Sequence, residues 1–238
     1  MTTVATTGGT ATAKPSCDSF NPVAALSRPL YGAASVWVSY TFNNGNGDIV
    51  INDTIERDPA GRVHYTTSPE PETFGVAYHE AIFAEDSLYV RFPDGAVAGA
   101  DGLWVAAPLD DPDYVNGLLQ MEPPTASDAN AALFGENGSI AEVMAAYSWS
   151  LVEPSAPVRV ETTDGTCSFA IETPADVNVQ NLVITVGDEG NVAAVRFDLP
   201  QPGKNVTITV SAGPESVNIP APELIAPDSA GRAYAQSS

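Results

Sequence analysis

The chain has 238 residues, of which 30 are acidic and 9 are basic, so its formal net charge is −21. A field of that sign repels phosphate backbones and anionic lipid surfaces, which argues against nucleic-acid binding. Hydrophobic residues make up 44% of the chain and charged residues only 16%, which excludes a disordered chain and predicts a folded core.

The two ends of the chain differ in composition from its middle. Residues 1–16 consist mostly of Thr, Ala and Gly, so we expect a flexible tether there. Residues 17–226 carry the apolar runs and are expected to form one domain, whereas residues 227–238 are expected to be a disordered tail. No apolar run has the length of a membrane-spanning helix, and the first residues lack the pattern of a signal peptide. We expect that Met1 replaces a removed targeting segment.

The only cysteines are Cys17 and Cys167. An even number of cysteines without a redox motif, in a chain with few lysines, is typical of an exported protein with one disulfide. Such a bridge would attach the N-terminal arm to the C-terminal strands. The alternative is a pair of buried free thiols.

The first half of the chain predicts one short helix and then a series of strands. The helix is expected within residues 21–31, between prolines. From Val36 onward, apolar residues alternate with polar ones up to Phe42 and again from Ile49 to Ile55, which predicts a hairpin around Asn-Asn-Gly-Asn-Gly. Four more strands are predicted, separated by short turns, and therefore form an antiparallel meander: residues 62–67, 74–83, 88–92 and 103–106.

Helices are predicted in the middle of the chain. Asp111 has the position of an N-cap, and Pro112 follows at the first helical position. A second short helix is expected at residues 127–134, and a third begins at Ser139 with apolar residues at helical spacing.

The last third of the chain returns to strands, which are predicted at residues 158–162, 166–172, 182–186, 192–199 and 206–210. Strands, then helices, then strands predict an α+β fold with one large antiparallel sheet of ten or eleven strands. That number is too large for a flat sheet, so we expect the sheet to curl around the helices.

Catalytic motifs are absent from the sequence, which predicts a protein that is not an enzyme and uses no cofactor. The two histidines, His64 and His79, do not form a zinc motif, because Phe83 stands where a second histidine is needed. Asp111 and Asp113 have the spacing of calcium ligands, but the helix start is the preferred interpretation. Paired carboxylates of an acidic hydrolase remain an alternative, because Asp and Glu are abundant.

The C-terminal strands resemble those of a known family. Leu182–Asp198, Asn205–Val210 and the Gly-Pro and Pro-Ala-Pro residues of 213–222 follow one another as in the closing segment of actinobacterial lipoproteins of the LppX/LprG type. Residues 88–92 with the later Gly-Leu-Trp-Val resemble the edge hairpin of these proteins. The similar order covers most of residues 33–225. The chain lacks the lipobox and lipidated cysteine of the family, and its cysteine pair is not a family hallmark.

This resemblance implies a half-barrel similar to LolA, with helices over the concave face of the sheet. An apolar cavity between them would hold the acyl chains of lipids or glycolipids. The resemblance also implies an extracytoplasmic, cell-envelope protein, anchored by an N-terminal lipid in its full-length form, with a membrane transporter or envelope protein as partner. The alternative on the same fold is a non-catalytic interaction or regulatory module.

Strand alternation and helical spacing select the residues that we expect to line this cavity. The sheet is expected to contribute Val38, Tyr40, Ile49, Ile51 and Tyr78. The helices are expected to contribute Leu118, Leu133, Phe134, Val143, Met144 and Tyr147. The alternative is that these residues pack against one another as a closed core.

Overall fold

The structure, a computed structural model, describes residues 17–28, 35–44, 49–68, 80–119, 158–160, 166–172, 179–187, 190–199 and 201–237. The strands are β1 (Val36–Asn44), β2 (Ile49–Arg57), β3 (Val63–Ser68), β4 (Glu80–Ala84), β5 (Ser87–Arg91), β6 (Trp104–Pro108), β7 (Val158–Val160), β8 (Cys167–Ile171), β9 (Gln180–Val186), β10 (Val192–Asp198) and β11 (Lys204–Ala212). The α-helices are α1 (Pro22–Leu26), α2 (Pro112–Leu119) and α3 (Asp228–Ser237), and 3-10 turns occur at Cys17–Ser19 and Pro222–Leu224.

All eleven strands form one sheet in the order β6-β5-β4-β3-β2-β1-β11-β10-β9-β8-β7. Each strand is antiparallel to its neighbours. The central β1–β11 pair joins the N-terminal meander to the C-terminal one, and β6 and β7 lie at the two ends of the sheet, which does not close. The predicted α+β class with one large curled antiparallel sheet is confirmed.

The alternation in the sequence gives the sheet one apolar and one polar face. In the central strands, Val38 pairs with Val210 and Ile55, while the next residue, Ser39, pairs with Thr209. Successive side chains of a strand point to opposite faces. We call the side of Val38 the inner face and the side of Ser39 the outer face.

The described helices lie on the inner face, at its two ends. Helix α1 contacts β9 and β10, whereas α2 contacts β5 and β6. Helix α3 packs against α2 and β6. The central strands therefore lie between two helical regions.

The predicted disulfide between Cys17 and Cys167 is present, with 5.5 Å between the two Cα atoms. Two further contacts hold the same region in place. The Arg28 guanidinium donates a hydrogen bond to the carbonyl oxygen of Gly190 at 2.7 Å, and the ring of Phe20 packs directly against Gly190. The first turn and α1 are thereby fixed to the β8–β10 end of the sheet.

At the C-terminus the structure differs from the disordered tail expected for residues 227–238. Helix α3 occupies most of this segment. Arg232 forms ion pairs with Asp228 at 2.8 Å and with Asp111 of the α2 N-terminus at 3.2 Å. Ala, Gly and Ser resemble a linker in composition, but here their small size lets the helix pack closely against α2.

The other predicted elements agree with the structure wherever they fall on described residues. Helix α1 ends at Leu26 and is shorter than the interval of 21–31. Residues 74–79 of one predicted strand lie outside the described residues, as do the helices predicted at 127–134 and from 139 onward. Among the described helices, none has the length and hydropathy needed to cross a membrane.

Candidate functional site

The inner face carries an apolar cluster over its central and C-terminal strands, which we call the first inner cluster. Its buried residues are Ala25, Leu26, Val36, Val38, Ile55, Val63, Cys167, Phe169, Ile171, Val179, Leu182, Ile184, Val186, Val192, Val195, Phe197, Val206 and Ile208. They come from α1, from seven strands and from Val179 just before β9, because apolar residues recur at alternate positions in these strands.

A second inner cluster lies at the β4–β6 end of the same face. Its buried residues are Ala81, Leu88, Val90, Phe92, Val97, Ala100, Val105, Ala107, Tyr114, Leu118, Leu119 and Ala226. Helix α2 supplies three of these residues and covers β5 and β6. Tyr65 of β3 and Phe83 of β4 pack against both clusters. The two clusters therefore adjoin, and most of the inner face from β6 to β8 is apolar.

The structure describes the side chains of two of the predicted cavity residues. Val38 is buried in the first inner cluster, and Leu118 is buried in the second. They belong to different clusters, so the structure does not bring these two residues into one group. Both lie on the inner side of the sheet.

For the other predicted cavity residues, the structure describes either the backbone alone or nothing. Tyr40 pairs with Ile208 and Asp53, and Ile51 pairs with Phe42. Ile49 begins β2. The remaining predicted residues lie outside the described residues: Tyr78, Leu133, Phe134, Val143, Met144 and Tyr147. Their role in a cavity stays a prediction.

Two charged residues share the inner side of β2 and were not among the predicted cavity residues. Asp53 and Arg57 follow Ile51 and Ile55 in the alternation, and both are half-buried. Arg57 pairs with Val36, a buried residue of the first inner cluster. Their position was visible in the sequence, because they continue the two-residue period of the apolar residues.

The N-terminus of α2 confirms the predicted helix start. A carboxylate oxygen of Asp111 accepts a hydrogen bond from the backbone N–H of Tyr114 at 3.2 Å. This is the geometry of an N-cap. The same carboxylate pairs with Arg232, so helix capping and ion pairing account for this acidic residue.

Tyr114 is the buried aromatic residue of α2. Its hydroxyl has no hydrogen-bond partner in the part of the chain that the structure describes. Burial raises the pKa of Tyr114 to about 12, and the nearby carboxylates of Asp228 and Asp111 contribute in the same direction, against the opposing charge of Arg232. The guanidinium of Arg232 lies over the ring, 4.5 Å from its centroid.

The outer face carries a row of charged residues across β2 to β5. The Nδ1 atom of His64 lies 3.2 Å from Glu56, and its Nε2 atom lies 3.6 Å from Glu80, which also pairs with Arg91 at 3.8 Å. Cross-strand pairing explains these contacts. Within the described residues, no group of His, Cys, Asp and Glu is arranged to hold a metal ion.

Comparison with known proteins finds similar folds at low identity. No family model matches the chain, and no curated protein matches it. Similar solved structures include lipoprotein LppX of Mycobacterium tuberculosis, with 15% identity, a TM-score of 0.39 and coverage of 79% of this chain and 91% of LppX. A LolA superfamily protein from Nitrosomonas europaea has 10% identity, a TM-score of 0.25 and coverage of 84% of this chain and 94% of that protein.

A third similar structure is the MucA/MucB complex of Pseudomonas aeruginosa, with 13% identity and a TM-score of 0.29. The match covers 81% of this chain and 57% of that one. The lipoprotein family to which the sequence analysis pointed is thus among those that the structural comparison finds.

Proposed function

We propose that the chain is an extracytoplasmic carrier of a lipid or glycolipid, whose acyl chains lie between the inner face and the helices that the sequence predicts for residues 111–150. One observation carries this proposal. Most of the inner face from β6 to β8 is apolar, while the described helices pack only at the two ends of this surface. A curled sheet with so much apolar surface offers the concave, apolar environment that ligand sites share.

The hydrophobic effect supplies enough binding energy for such a ligand. Each buried CH₂ group contributes about 0.8 kcal/mol, so an acyl chain of about sixteen carbons contributes on the order of 10 kcal/mol. Part of this gain offsets the lost freedom of the ligand. No catalytic group is needed, and the half-buried Asp53 and Arg57 would meet the polar part of the ligand.

The disulfide supports an extracytoplasmic location, because disulfides persist in oxidising compartments. An N-terminal lipid anchor and a membrane transporter or envelope protein as partner belong to the same proposal. The acidic surface would favour a partner with a basic contact region.

Lipid analysis of the protein from its own host tests the proposal directly. Native mass spectrometry and solvent extraction should recover acyl species, and the purified protein should take up a fluorescent diacylglycerol. Val38→Trp, which enlarges an inner-face residue, should abolish uptake, whereas Thr209→Trp on the outer face should leave it unchanged.

Near-UV circular dichroism of both variants controls for misfolding. Absence of acyl species from the host protein, together with no uptake of the probe, would overturn the proposal. Equal uptake by the two folded variants would contradict the inner-face location of the site.

A second candidate is a non-catalytic interaction module of the cell envelope. It is favoured by the two valines of β7 at one end of the sheet, because Val158 is 66% exposed and Val160 is 40% exposed. Exposed apolar residues on a terminal strand are common at protein contacts. Replacing both by Ser should weaken binding of an envelope partner and leave lipid uptake intact, which separates the two functions.

A further inference from the structure

The segment after the last strand, residues 213–227, wraps around the N-terminal half of the sheet, and we call it the C-terminal strap. It starts beside β1, where the N–H of Gly213 donates to the carbonyl of Ser35 at 3.3 Å. Val217 is then buried in an outer-face cluster with Trp104, Ile82 and Ala84. The strap therefore runs over the outer face.

The turn between β2 and β3 holds the middle of the strap. Asp58 accepts a hydrogen bond from the backbone N–H of Val217 at 3.0 Å. Arg62 donates to the carbonyl oxygen of the same residue at 3.1 Å. Both backbone groups of Val217 are thus bound by side chains of one turn.

The strap next passes around the β6 end of the sheet. Ile225 forms a parallel bridge with Trp104, and the N–H of Ala226 donates to the carbonyl of Trp104 at 2.8 Å. Ala226 is buried in the second inner cluster. The chain has therefore crossed from the outer to the inner face, where α3 begins.

Helix α3 is attached mainly to α2. Their backbones approach so closely that a Cβ atom at Gly117 of α2 would lie 2.7 Å from the Cβ atom of Ala235. A Cβ atom at Gly231 of α3 would overlap the Tyr114 hydroxyl and the Val105 side chain.

Polar and aromatic contacts complete the attachment of α3. Arg232 pairs with Asp111 and lies over the Tyr114 ring. Tyr234 packs on Phe92 with 4.7 Å between ring centroids.

This attachment depends on few buried groups. Gly231 is the only buried residue of α3, and the ion pairs of Arg232 are partly exposed. Exposed ion pairs are worth little and are screened by salt. In addition, docking of α3 keeps the Tyr114 hydroxyl buried without a hydrogen-bond partner among the described residues, which disfavours the docked position of α3.

We propose that α3 is a releasable latch, which holds α2 on the inner face when docked and frees α2 when it detaches. The strap keeps the detached helix next to its site, so the latch can close again. In the closed state α2 seals the β5–β6 end of the inner face. The consequence for ligand exchange rests on the proposed carrier function, but the coupling of α2 to α3 does not.

Hydrogen exchange of the full-length, oxidised protein tests this coupling. Arg232→Ala removes the ion pairs and the cation–π contact, so amide exchange should become about tenfold faster in both residues 228–237 and residues 112–119. Exchange in β1 and β11 should not change. Arg196→Ala, which removes an exposed arginine of β10, should leave all four segments as in the native protein.

A second variant and a salt series distinguish release of α3 from a general folding defect. Gly231→Ala introduces a direct clash with Tyr114 and should accelerate the same two helices, whereas Ser229→Ala, at an exposed position of α3, should not. Raising the salt concentration should accelerate exchange of both helices in the unmodified protein. The proposal is overturned if α3 exchanges faster while α2 stays protected, or if the central strands accelerate equally.

The rate at which each variant takes up the fluorescent diacylglycerol then tests the latch and the carrier function independently. In the Arg232→Ala variant, the uptake rate should rise together with the exchange of α2. If the helices respond as expected but no variant takes up the probe, the carrier function fails and the latch stands. If the probe is taken up at equal rates by all variants, the latch does not control access.

Discussion

Asp58 is a buried carboxylate whose removal should loosen the C-terminal strap. Its two oxygens accept hydrogen bonds from the backbone N–H groups of Arg62 at 2.9 Å and Val217 at 3.0 Å. Asp58→Asn keeps the shape but replaces one oxygen by an NH₂ group, so one N–H loses its acceptor. An unsatisfied buried donor costs about 1–3 kcal/mol, and the remaining bond loses its charge. We expect the free energy of unfolding to fall by about 2–3 kcal/mol.

The effect should depend on pH in a defined direction. Burial raises the pKa of Asp58, but the N–H donors of Val217, Arg62 and Ala60 and the charge of Arg62 outweigh it, so the pKa lies below its usual value. A carboxylate of this kind contributes its full stabilisation above its unfolded-state pKa of about 4. The contribution is lost as the pH falls through the folded-state pKa. The native protein and the Asn variant should therefore become more alike in acid.

Urea denaturation of the oxidised protein measures this difference. Trp104 belongs to the same buried cluster as Val217, so its fluorescence should report on the strap. Asp110→Asn removes an equal charge at an exposed position and should change the free energy of unfolding by less than about 0.5 kcal/mol. Equal stabilities of the two variants at neutral pH would refute the reasoning, as would a difference that persists unchanged in acid.

Three further contacts can be tested by urea denaturation. Tyr114→Phe removes a buried hydroxyl that has no hydrogen-bond partner in the described part of the chain, so the free energy of unfolding should be equal or higher at neutral pH. Because burial raises the pKa of Tyr114 to about 12, the native protein, but not the variant, should lose stability from this group above about pH 10. Replacing Cys17 and Cys167 by Ser should lower the free energy of unfolding by about 5 kcal/mol. Gly190→Ala should destabilise more than Gly99→Ala, because both have φ near +80° (77° and 79°) but only Gly190 has an aromatic ring against it.

Local patterns were sufficient to predict the strands and the start of α2. The alternation around Val38 and Ile55 defines β1, β2 and their apolar face, because the side-chain period of a strand is fixed by its geometry. Asp111 and the following proline define the beginning of α2 by the same kind of short-range rule. These predictions needed no information about distant parts of the chain.

The same short-range rules could not predict features that depend on contacts between distant parts of the chain. The alternation in β1 does not indicate that its second neighbour is β11, which lies more than a hundred residues away. The apolar residues of the strap are interrupted by prolines, so no extended periodic pattern marks it. Helix α3 was missed because its small residues are useful only against α2, at Gly117.

For the candidate site, the sequence predicted the sides on which single residues lie, but not whether they line a cavity. Alternation placed Val38 on the apolar side, and helical spacing placed Leu118 on the buried side of α2. Alternation cannot say whether two apolar surfaces touch each other or a ligand, because both arrangements bury the same side chains. Deciding between a closed core and a cavity therefore requires the lipid analysis and the paired Trp variants.

The two ends of the inner face differ in how their helices are held. At the β8–β10 end, a covalent bond between Cys17 and Cys167 supports α1. At the β5–β6 end, only non-covalent contacts hold α2, namely its own buried residues and the contacts of Arg232 and Gly231. In an oxidising compartment the first attachment does not open, whereas the second can open with the local unfolding of one short helix. Any ligand that enters between the helices and the inner face would therefore do so at the β5–β6 end, next to α2.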